Sequence, residues 1–249
     1  MSSNYSIKYL KKIYSYKDTQ GQMNAIVDQN GKRSTNYENF IQIINSIAYH
    51  LNNLNLNSSD IIAIELGRNM EHTACRLACY FVGLSYVSMN PDHPATRKKA
   101  IYEEVKPKLI ITQEYFNNIE IGDYDCQINE SISDEMQGHI IYTSGTTGKP
   151  KGIVHNRTLF QLAEEMNESL YKKNYRYKDG KYERFNHAAF SDMMFIGALA
   201  DISFLCFGDT VNLLDAMKFK DPRLIKEYFI QNNITTAIMS PSLLYMMYK

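Results

Sequence analysis

The chain has 249 residues, of which 44% are hydrophobic and 22% charged, and its formal net charge is zero. These proportions are typical of a globular protein, and a neutral chain has no overall field that attracts nucleic acid or an anionic membrane. No apolar run approaches the roughly 20 residues that span a bilayer, and the start, MSSNYSIKYLKK, lacks the apolar core of a signal peptide. We therefore expect a cytoplasmic protein that binds neither membrane nor nucleic acid.

The sequence contains four cysteines and no CxxC pair. Cys75 and Cys79 are spaced to share one face of a helix, and Cys126 and Cys206 stand alone. This pattern predicts buried free thiols in a reducing compartment, and it argues against a disulfide framework or a metal site.

Short apolar runs alternate with helical patterns along the chain. The elements predicted from periodicity and turn signals are, in chain order, a hairpin turn at Asn30-Gly31, a helix at 37–54, a strand at 61–66, a helix at 70–83, a strand at 86–89, a helix at 95–105, strands at 108–112 and 140–143, a helix from Asn156, a helix capped by Asp221, a strand in ITTAIMS and a helix from Ser240. Residues 115–138 are polar and acidic and are predicted to be mostly surface loop. Strand followed by helix, repeated several times, predicts an α/β fold with a mainly parallel sheet flanked by helices.

The most informative stretch is HIIYTSGTTGKPKGIVHN, residues 139–156, in which positions 143–152 hold only Thr, Ser, Gly, Lys and Pro. We expect this run between the end of a buried strand and the start of a helix, where α/β sheets bind ligands. Its glycines let the backbone come close to a ligand, and the amides of consecutive small residues can form a concavity for anions. Because two lysines lie within it, the run predicts a site for a polyphosphate and for a departing pyrophosphate.

Spacing excludes the two commonest phosphate loops. A Walker loop needs G-x-x-x-x-G-K-[ST], but Thr143 stands five residues before Gly148, and Pro150 follows Lys149. The dinucleotide pattern G-x-G-x-x-G is absent as well. These mismatches disfavour a kinase of the Walker type. A flexible linker would explain the Gly and Ser residues, but neither the Pro-Lys-Gly ending nor the position after a strand.

The string TSGTTGKPKG, preceded by IIY, resembles the phosphate-binding signature of adenylate-forming ligases. These include acyl-CoA and aryl-CoA ligases, luciferase and the adenylation domains of nonribosomal peptide synthetases. Three flanking stretches extend the resemblance over nearly the whole chain and are similar to the peptide-synthetase branch: Tyr37-Glu38-Asn39-Phe40, YFVGLSYVSMNPDHPATR and ITTAIMSPSLL. D-alanine–carrier-protein ligases share most of these. The resemblance implies that residues 1–249 form the N-terminal portion of an AMP-binding large domain.

The resemblance also implies a two-step reaction. A carboxylate oxygen attacks the α-phosphorus of ATP, bound with Mg2+, to give an acyl-adenylate and pyrophosphate. The acyl group then passes to the thiol of a phosphopantetheine arm or of coenzyme A. The amino-acid branch implies an amino acid as the carboxylate and a carrier protein as the partner. Little covalent chemistry falls to the protein, which positions the reactants and neutralises charge.

Position within the motif assigns the phosphate-contacting residues. They are Thr143, Ser144, Gly145, Thr146, Thr147, Gly148 and Lys151. Lys151 matches the lysine of the family's PKG ending, and together with Thr147 it is the implied catalytic residue. Lys149 occupies a position that the pattern leaves open, so we expect a solvent-facing charge there.

Departures from the family pattern bear on substrate recognition. Amino-acid-activating members carry an FDxS motif whose Asp holds the substrate's ammonium. The candidate here is Asp192 in AFSDMMF, although its distance to Gly208 is a few residues longer than the pattern predicts; a helix N-cap is the competing interpretation. His187 is a second substrate candidate, against a core or surface histidine, and His155 is predicted to pack locally. Ser88-Met89-Asn90 replaces the family's Pro-(Ile/Leu)-Asp, which we expect to be a structural change.

The chain ends at Lys249, before the family's YGPTE-like loop with its magnesium-binding Glu, its ribose-binding Asp and its C-terminal domain. We therefore expect a fragment that holds the phosphate loop, contains no metal ligand of its own and does not form acyl-adenylates by itself. Two alternatives stay open: a fragment of an acyl- or aryl-CoA ligase, and a non-catalytic remnant that binds a nucleotide or a partner. The identity of the carboxylate and of the thiol acceptor stays open too.

Overall fold

The computed structural model describes residues 4–143, 150–157, 160–161, 165, 177–178, 181–195, 197–219, 221 and 223–248. The helices in these residues are α1 (Tyr5–Thr19), α2 (Tyr37–Asn52), α3 (Met70–Val82), α4 (Ala95–Val105), α5 (Gln113–Asn117), α6 (Gly197–Ser203), α7 (Arg223–Gln231) and α8 (Pro241–Tyr248). The strands are β1 (Asn24–Asp28), β2 (Arg33–Asn36), β3 (Ile61–Glu65), β4 (Ser85–Ser88), β5 (Leu109–Thr112), β6 (Gln137–Thr143), β7 (Lys151–Asn156), β8 (Tyr177–Lys178), β9 (Lys181–Tyr182), β10 (Asn186–Ala189), β11 (Thr210–Leu213) and β12 (Thr236–Ile238).

The described strands form two five-stranded sheets and one two-stranded hairpin. Sheet A has the order β12-β10-β11-β1-β2, and sheet B has the order β5-β3-β4-β6-β7. Neighbouring strands in the two large sheets are parallel except for the pairs β1–β2 and β6–β7. The predicted α/β fold with mainly parallel sheets is therefore confirmed, as is the hairpin predicted at Asn30-Gly31.

One apolar core joins the two sheets. It combines α1, α2 and α3 with residues of β1 and β11 from sheet A and of β3 and β4 from sheet B. In β3, Ile62 and Ile64 belong to this core, whereas Ala63 belongs to a second cluster that includes residues of α4, because successive strand side chains point to opposite faces. In sheet A, Ala188 packs with Tyr228 of α7 in a further cluster. Helices therefore cover both faces of each sheet, as predicted.

Local capping signals account for several helix ends. Asn36 and Asn69 accept hydrogen bonds of 2.9 Å from backbone N–H groups in the first turns of α2 and α3. Helix α3 ends at Gly83, whose φ of 85° lies in the left-handed region that favours glycine. The helix starts predicted at Asp221 and Ser240 are confirmed, since each side chain accepts a backbone hydrogen bond at the start of α7 or α8.

Two parts of the fold differ from the sequence-based prediction. Helix α1 has no counterpart among the predicted elements, although its residues Leu10 and Ile13 are fully buried in the main core. The segment 115–138 is less exposed than predicted, because Phe116 in α5 and Ile132 are both buried. Both departures depend on packing between segments far apart in the sequence, which local polarity does not reveal.

All four cysteines are buried and none of them forms a disulfide, which confirms the prediction made from their spacing. In the part of the chain that the structure describes, no helix has both the length and the apolar character needed to cross a membrane.

Candidate functional site

Residues 143–152, called the phosphate run from here on, begin at the end of one strand and end in the next, and these two strands pair with each other. Strands β6 and β7 are antiparallel, with Tyr142 opposite Gly152 and Thr143 opposite Lys151. The prediction of a helix from Asn156 directly after the run is therefore wrong in its start: β7 comes first, and the helical residues described after it begin at 160. Pairing with β6 satisfies the backbone groups of β7, and this long-range gain outweighs the local helix signal.

Most of the predicted phosphate contacts lie outside the described residues. This holds for the side chain of Thr143 and for Ser144, Gly145, Thr146, Thr147 and Gly148. Lys149, expected to face solvent, lies outside the described residues too. So do the side chains expected on one face of the predicted helix, those of Leu159, Ala163, Met166 and Leu170. Lys151 is described, and its exposed side chain belongs to the first residue of β7. Lys151 therefore lies directly opposite Thr143, the residue at which the run begins.

Gly152 leaves room for an aromatic ring. A Cβ atom at this position would lie 2.9 Å from Cζ and 3.1 Å from Oη of Tyr142. The φ angle of Gly152 is outside the left-handed region, so its backbone conformation does not itself require glycine. The glycine that ends the Pro-Lys-Gly sequence thus allows β7 to pack closely against Tyr142. This role differs from the close approach to a ligand that the sequence suggested.

Arg157 fastens the end of β7 to the end of α3. Its backbone N–H donates to the carbonyls of Asp134 and Met136 at 2.9 and 3.1 Å. Its fully buried guanidinium donates through Nη2 to the carbonyl of Leu84 at 2.8 Å and through Nη1 to that of Tyr80 at 3.3 Å. A cation beside the last carbonyls of a helix is also favoured by the helix dipole. One end of the β6–β7 hairpin is therefore held rigidly.

A pair of stacked histidines lies between the two strands of the hairpin. The rings of His139 and His155 are parallel, with centroids 5.0 Å apart, and Nδ1 of His139 is 2.8 Å from the hydroxyl of Tyr80. Burial, reinforced by nearby positive charge, lowers the pKa of His139 to about 3. His139 is therefore neutral near pH 7, and the predicted packing role of His155 is confirmed.

The carboxyl ends of both sheets face one cavity of about 300 Å³. Its polar lining consists of Arg68 after β3, Asn90 and Asp92 after β4, Asp192 after β10, and Asp215 and Lys218 after β11. Since β6 is parallel to β4, Thr143 also lies at the carboxyl end of its strand, on the same edge of sheet B. Thr143 and Asp192 therefore belong to the carboxyl-terminal edges of their sheets, where parallel α/β sheets bind ligands.

Arg68 and Lys218 are the cations in this otherwise acidic lining, and Arg68 is the less exposed of the two. Its Nη1 donates to the carbonyl of Ala189 at 3.4 Å. Burial lowers the pKa of Arg68, while the nearby carboxylates of Asp192, Asp201 and Asp215 act in the opposite direction. The cavity thus combines a largely buried guanidinium with several carboxylates, which suits a polar or zwitterionic ligand.

Asp192 forms the turn on which it lies. Its Oδ1 accepts a hydrogen bond from the N–H of Met194 at 2.9 Å, and its carbonyl accepts one from the N–H of Phe195 at 2.9 Å. This is the pattern of an Asx turn. Helix α6 begins only at Gly197, so Asp192 does not act as its N-cap.

A second cavity, of about 550 Å³, lies on another side of Asp192. The apolar residues that line it are Phe190, Phe195, Ile238, Met239, Leu243 and Met246. Asp192 is shared by the two cavities. Its carboxylate therefore stands between a polar space and a mainly apolar one.

Buried polar side chains that the sequence did not single out hold the Asp192 turn. Arg76 donates through Nη2 to the carbonyl of Met193 and through Nε to the hydroxyl of Ser88 at 3.1 Å. Nε2 of His72 lies 3.0 Å from the same hydroxyl. Ser88 stands where the resembling ligases carry proline, so this departure builds a hydrogen-bonded link between β4 and the turn. A hydroxyl in a buried strand needs partners, and that need was the signal available in the sequence.

His187 is placed in the core and apart from Asp192. Its ring is fully buried, with Nδ1 2.9 Å from the hydroxyl of Thr236 and Nε2 3.0 Å from Oδ1 of Asp201. The ring stacks on Phe204 with centroids 3.7 Å apart. His187 lines neither cavity beside Asp192, so the structure does not bring the two substrate candidates together.

Comparison with known families and proteins agrees with this geometry. The family described as AMP-binding enzyme matches residues 16–139 and 129–249. The anguibactin system regulator of Vibrio anguillarum is 24% identical over 245 residues, covering 92% of this chain and 22% of the relative. The D-alanine–D-alanyl carrier protein ligase of Staphylococcus haemolyticus is 30% identical over 180 residues, covering 66% of this chain and 35% of the relative.

Among solved structures, the N-terminal subdomain of Klebsiella oxytoca NpsA in complex with 3-hydroxyanthranilyl-AMSN superimposes with a TM-score of 0.74. It is 19% identical, and the match covers 94% of this chain and 60% of that chain, so it supports the fold. This chain spans less than two thirds of the length of each of these three relatives. The family match, in contrast, extends over nearly all of the 249 residues. The chain belongs to the AMP-binding enzyme family.

Proposed function

We propose that this chain supplies the phosphate-binding and carboxylate-binding part of an ATP-dependent ligase that forms an acyl-adenylate and pyrophosphate and then passes the acyl group to a thiol. One observation carries the proposal. Thr143, with which the phosphate run begins, ends β6 at the carboxyl edge of sheet B, and Asp192 lines the cavity that the carboxyl ends of both sheets face. Adenylation requires the ATP phosphates and the carboxylate to be held close together in a fixed orientation, which such an edge allows.

In this proposal the ATP phosphates bind at the run between β6 and β7. Backbone amides and hydroxyls of residues 143–148 donate to the β- and γ-phosphate oxygens, and Lys151 adds positive charge at the start of β7. These groups stabilise the reaction most as negative charge builds on the departing pyrophosphate. ATP is taken as its magnesium complex. Among the described residues no group of three or more His, Cys, Asp or Glu side chains could hold a metal, so we assign no magnesium ligand.

The proposed carboxylate is an amino acid. The carboxylate of Asp192 would hold the substrate's ammonium, and an apolar side chain would occupy the cavity of about 550 Å³. The relative from Staphylococcus haemolyticus is by name a ligase of D-alanine and its carrier protein, which supports an amino acid and a carrier-bound phosphopantetheine thiol. An aryl acid is the alternative substrate, supported by the aryl ligand of the NpsA complex, and coenzyme A is the alternative acceptor.

Binding of Mg-ATP to the purified chain tests the phosphate site. We expect Lys151→Ala and Thr147→Ala to weaken Mg-ATP binding at least tenfold in titration calorimetry, since each removes a phosphate contact with charge-assisted strength. Lys149→Ala is the matched control, because it removes the same charge from the same run at a position with no assigned contact. Equal binding by all four proteins would contradict a live phosphate site and favour a non-catalytic remnant.

Titration calorimetry with a panel of amino and aryl acids, each added in the presence of Mg-ATP, tests the substrate class. The wild-type chain and Asp192→Asn are compared, with Mg-ATP binding measured in parallel. Loss of amino-acid binding with retained ATP binding supports the ammonium role of Asp192. Binding of aryl acids that is unaffected by Asp192→Asn would overturn the amino-acid assignment while leaving the ligase proposal intact. ATP–pyrophosphate exchange is a separate measurement: we expect none from these 249 residues, and robust exchange would contradict that expectation.

A further inference from the structure

A small internal cavity lies between α3, β4 and α6, away from the phosphate run. Its volume is about 20 Å³, enough for one particle of about the size of a water molecule. Its lining combines Arg76, Tyr86 and Ser203 with apolar side chains such as Leu77 and Ile202. A space this small excludes sulfate, phosphate and carboxylates, which contain several heavy atoms.

Two of the lining residues carry buried donors that no acceptor in the described residues satisfies. Nη1 of Arg76 has no hydrogen-bond partner within the described structure, and the hydroxyl of Tyr86 donates to none, although it interacts as an acceptor with the hydroxyl of Tyr80; the two residues are only 3% and 1% exposed. The neighbouring hydroxyl of Tyr80 is engaged with Nδ1 of His139 at 2.8 Å. Each orphaned donor carries a penalty of about 1–3 kcal/mol, and more when it is charged. The cavity therefore offers two unused donors to a single acceptor.

The contacts of Arg76 use only some of its hydrogen-bond donors, and none of them supplies a negative counter-charge. Nε and Nη2 donate to a hydroxyl and a carbonyl, those of Ser88 and Met193, and the guanidinium carbon lies 5.5 Å from the centre of the Tyr86 ring. All three are neutral groups. In the described part of the chain no carboxylate pairs with Arg76; Asp201, on the helix that supplies part of the lining, pairs with His187 instead.

A second buried guanidinium increases the positive charge of this region. Arg157 lies 4.9 Å from the centre of the Tyr80 ring and donates to backbone carbonyls. Tyr80 in turn packs edge-on against Tyr86, with ring centroids 5.5 Å apart. Burying a cation without a counter-charge is unfavourable by several kcal/mol. A water molecule in the cavity would accept hydrogen bonds from the two donors but leave this charge uncompensated. An anion would accept the hydrogen bonds and also compensate the charge.

We propose that the cavity binds one monatomic anion, of the size of chloride or bromide, between Nη1 of Arg76 and the hydroxyl of Tyr86. The guanidinium that holds the anion also donates to the carbonyl of Met193, one residue after Asp192. Occupancy of the site therefore stabilises the turn that carries Asp192. The site shares no lining residue with the two cavities beside Asp192, so its test is independent of the proposed ligase function.

Thermal unfolding of the wild-type chain in sodium chloride, sodium bromide and sodium gluconate, at one ionic strength, tests the proposal. Chloride and bromide should raise the melting temperature with concentration as expected for binding to the native state alone, and gluconate should not. Tyr86→Phe removes one donor and no packing volume. It should raise the apparent Kd for chloride about tenfold, the effect of one hydrogen bond to a charged group.

Tyr86→Phe is suited to this test because the hydroxyl it removes donates no hydrogen bond to the described part of the protein, so the variant should fold. Tyr102→Phe is the matched control: its hydroxyl donates to Glu65, outside the cavity, and its chloride response should equal that of the wild type. A melting temperature that does not distinguish chloride from gluconate would overturn the proposal. So would an unchanged chloride response in Tyr86→Phe, or a bromide-soaked crystal with a water and no anomalous peak in the cavity.

Discussion

Replacement of Gly152 by alanine tests how the phosphate hairpin is packed. A Cβ at position 152 would stand 2.9 Å from Cζ of Tyr142, 3.1 Å from its Oη and 3.3 Å from Cγ2 of Ile140. Tyr142 is only 3% exposed, so its ring has little free space into which to move. The backbone of Gly152 does not adopt a positive φ, so an alanine there meets no conformational barrier. The contacts with Tyr142, and to a smaller extent with Ile140, should therefore decide the outcome.

The expected magnitude follows from two opposing terms. Forcing a methyl group into a packed site destabilises a protein by about 1–3 kcal/mol. Alanine in place of glycine within a strand stabilises the fold by roughly 0.5–1 kcal/mol. We therefore expect Gly152→Ala to lower the free energy of unfolding by about 1 kcal/mol, which corresponds to a melting temperature lower by about 2–4 °C for a chain of this length.

Urea denaturation of a double-mutant cycle separates the two terms. Tyr142→Leu removes the ring atoms that the new Cβ would meet and keeps an apolar side chain. In that background Gly152→Ala should cost clearly less, because the two closest contacts are gone and only the wider contact with Ile140 opposes the backbone term. Gly67→Ala is the control, since a Cβ at Gly67 meets nothing within 4 Å. Equal destabilisation by Gly152→Ala in both backgrounds would refute the packing argument.

Three further predictions concern the buried groups around the site. Arg157→Met removes the donor to the carbonyl of Leu84, while the carbonyl of Tyr80 keeps the N–H of Gly83, and should lower the free energy of unfolding by about 1–3 kcal/mol in urea, whereas Arg223→Met, at an exposed arginine, should change it little. Burial lowers the pKa values of His72 and His139 to about 3 in the folded chain, against about 6.5 when unfolded. The unfolded chain therefore binds more protons than the folded one between pH 6.5 and 3, and the free energy of unfolding falls by up to about 1.4 kcal/mol per pH unit for each histidine as the pH drops through this range. In His139→Gln the measured slope should be smaller by the contribution of one histidine. Burial raises the pKa of the Cys79 thiol to about 12, so a disulfide reagent at pH 8 should label it only at the rate of unfolding, and rapid labelling of the native chain would contradict its burial.

Elements with strong local signals could be predicted from the sequence. The predicted helix at 95–105 matches α4, and the start predicted at Ser240 matches that of α8, because periodicity, proline and capping side chains act within one or two turns. Strand β7 could not be predicted in the same way. Its side chains are almost all exposed, so it shows no alternation of buried and exposed residues, and its only cause is pairing with β6.

The candidate site likewise contains residues that a local motif identifies and residues that only long-range contacts place there. Asp192 could be named from a motif position, and the structure finds it in the wall of both cavities. Arg76 could not be named, because its hydrogen bond to Met193 joins residues 117 positions apart. The sequence left His187 open between a substrate contact and a core histidine, and it did not show which residues surround it. Its partners Thr236 and Asp201 lie on other elements, and they enclose it in the core.

The hairpin changes which groups can bind the phosphates. In a phosphate loop between a strand and a helix, the positive end of the helix dipole contributes to binding. Here β7 intervenes, and its six residues extend about 20 Å, so the helical residues that begin at 160 start far from the run. The influence of a helix dipole fades within its first turn. In the proposed phosphate site, neutralisation would therefore fall to the amides and hydroxyls of residues 143–148 and to Lys151, the first residue of β7. This makes the charge of Lys151 harder to replace than that of a lysine supported by a helix N-terminus.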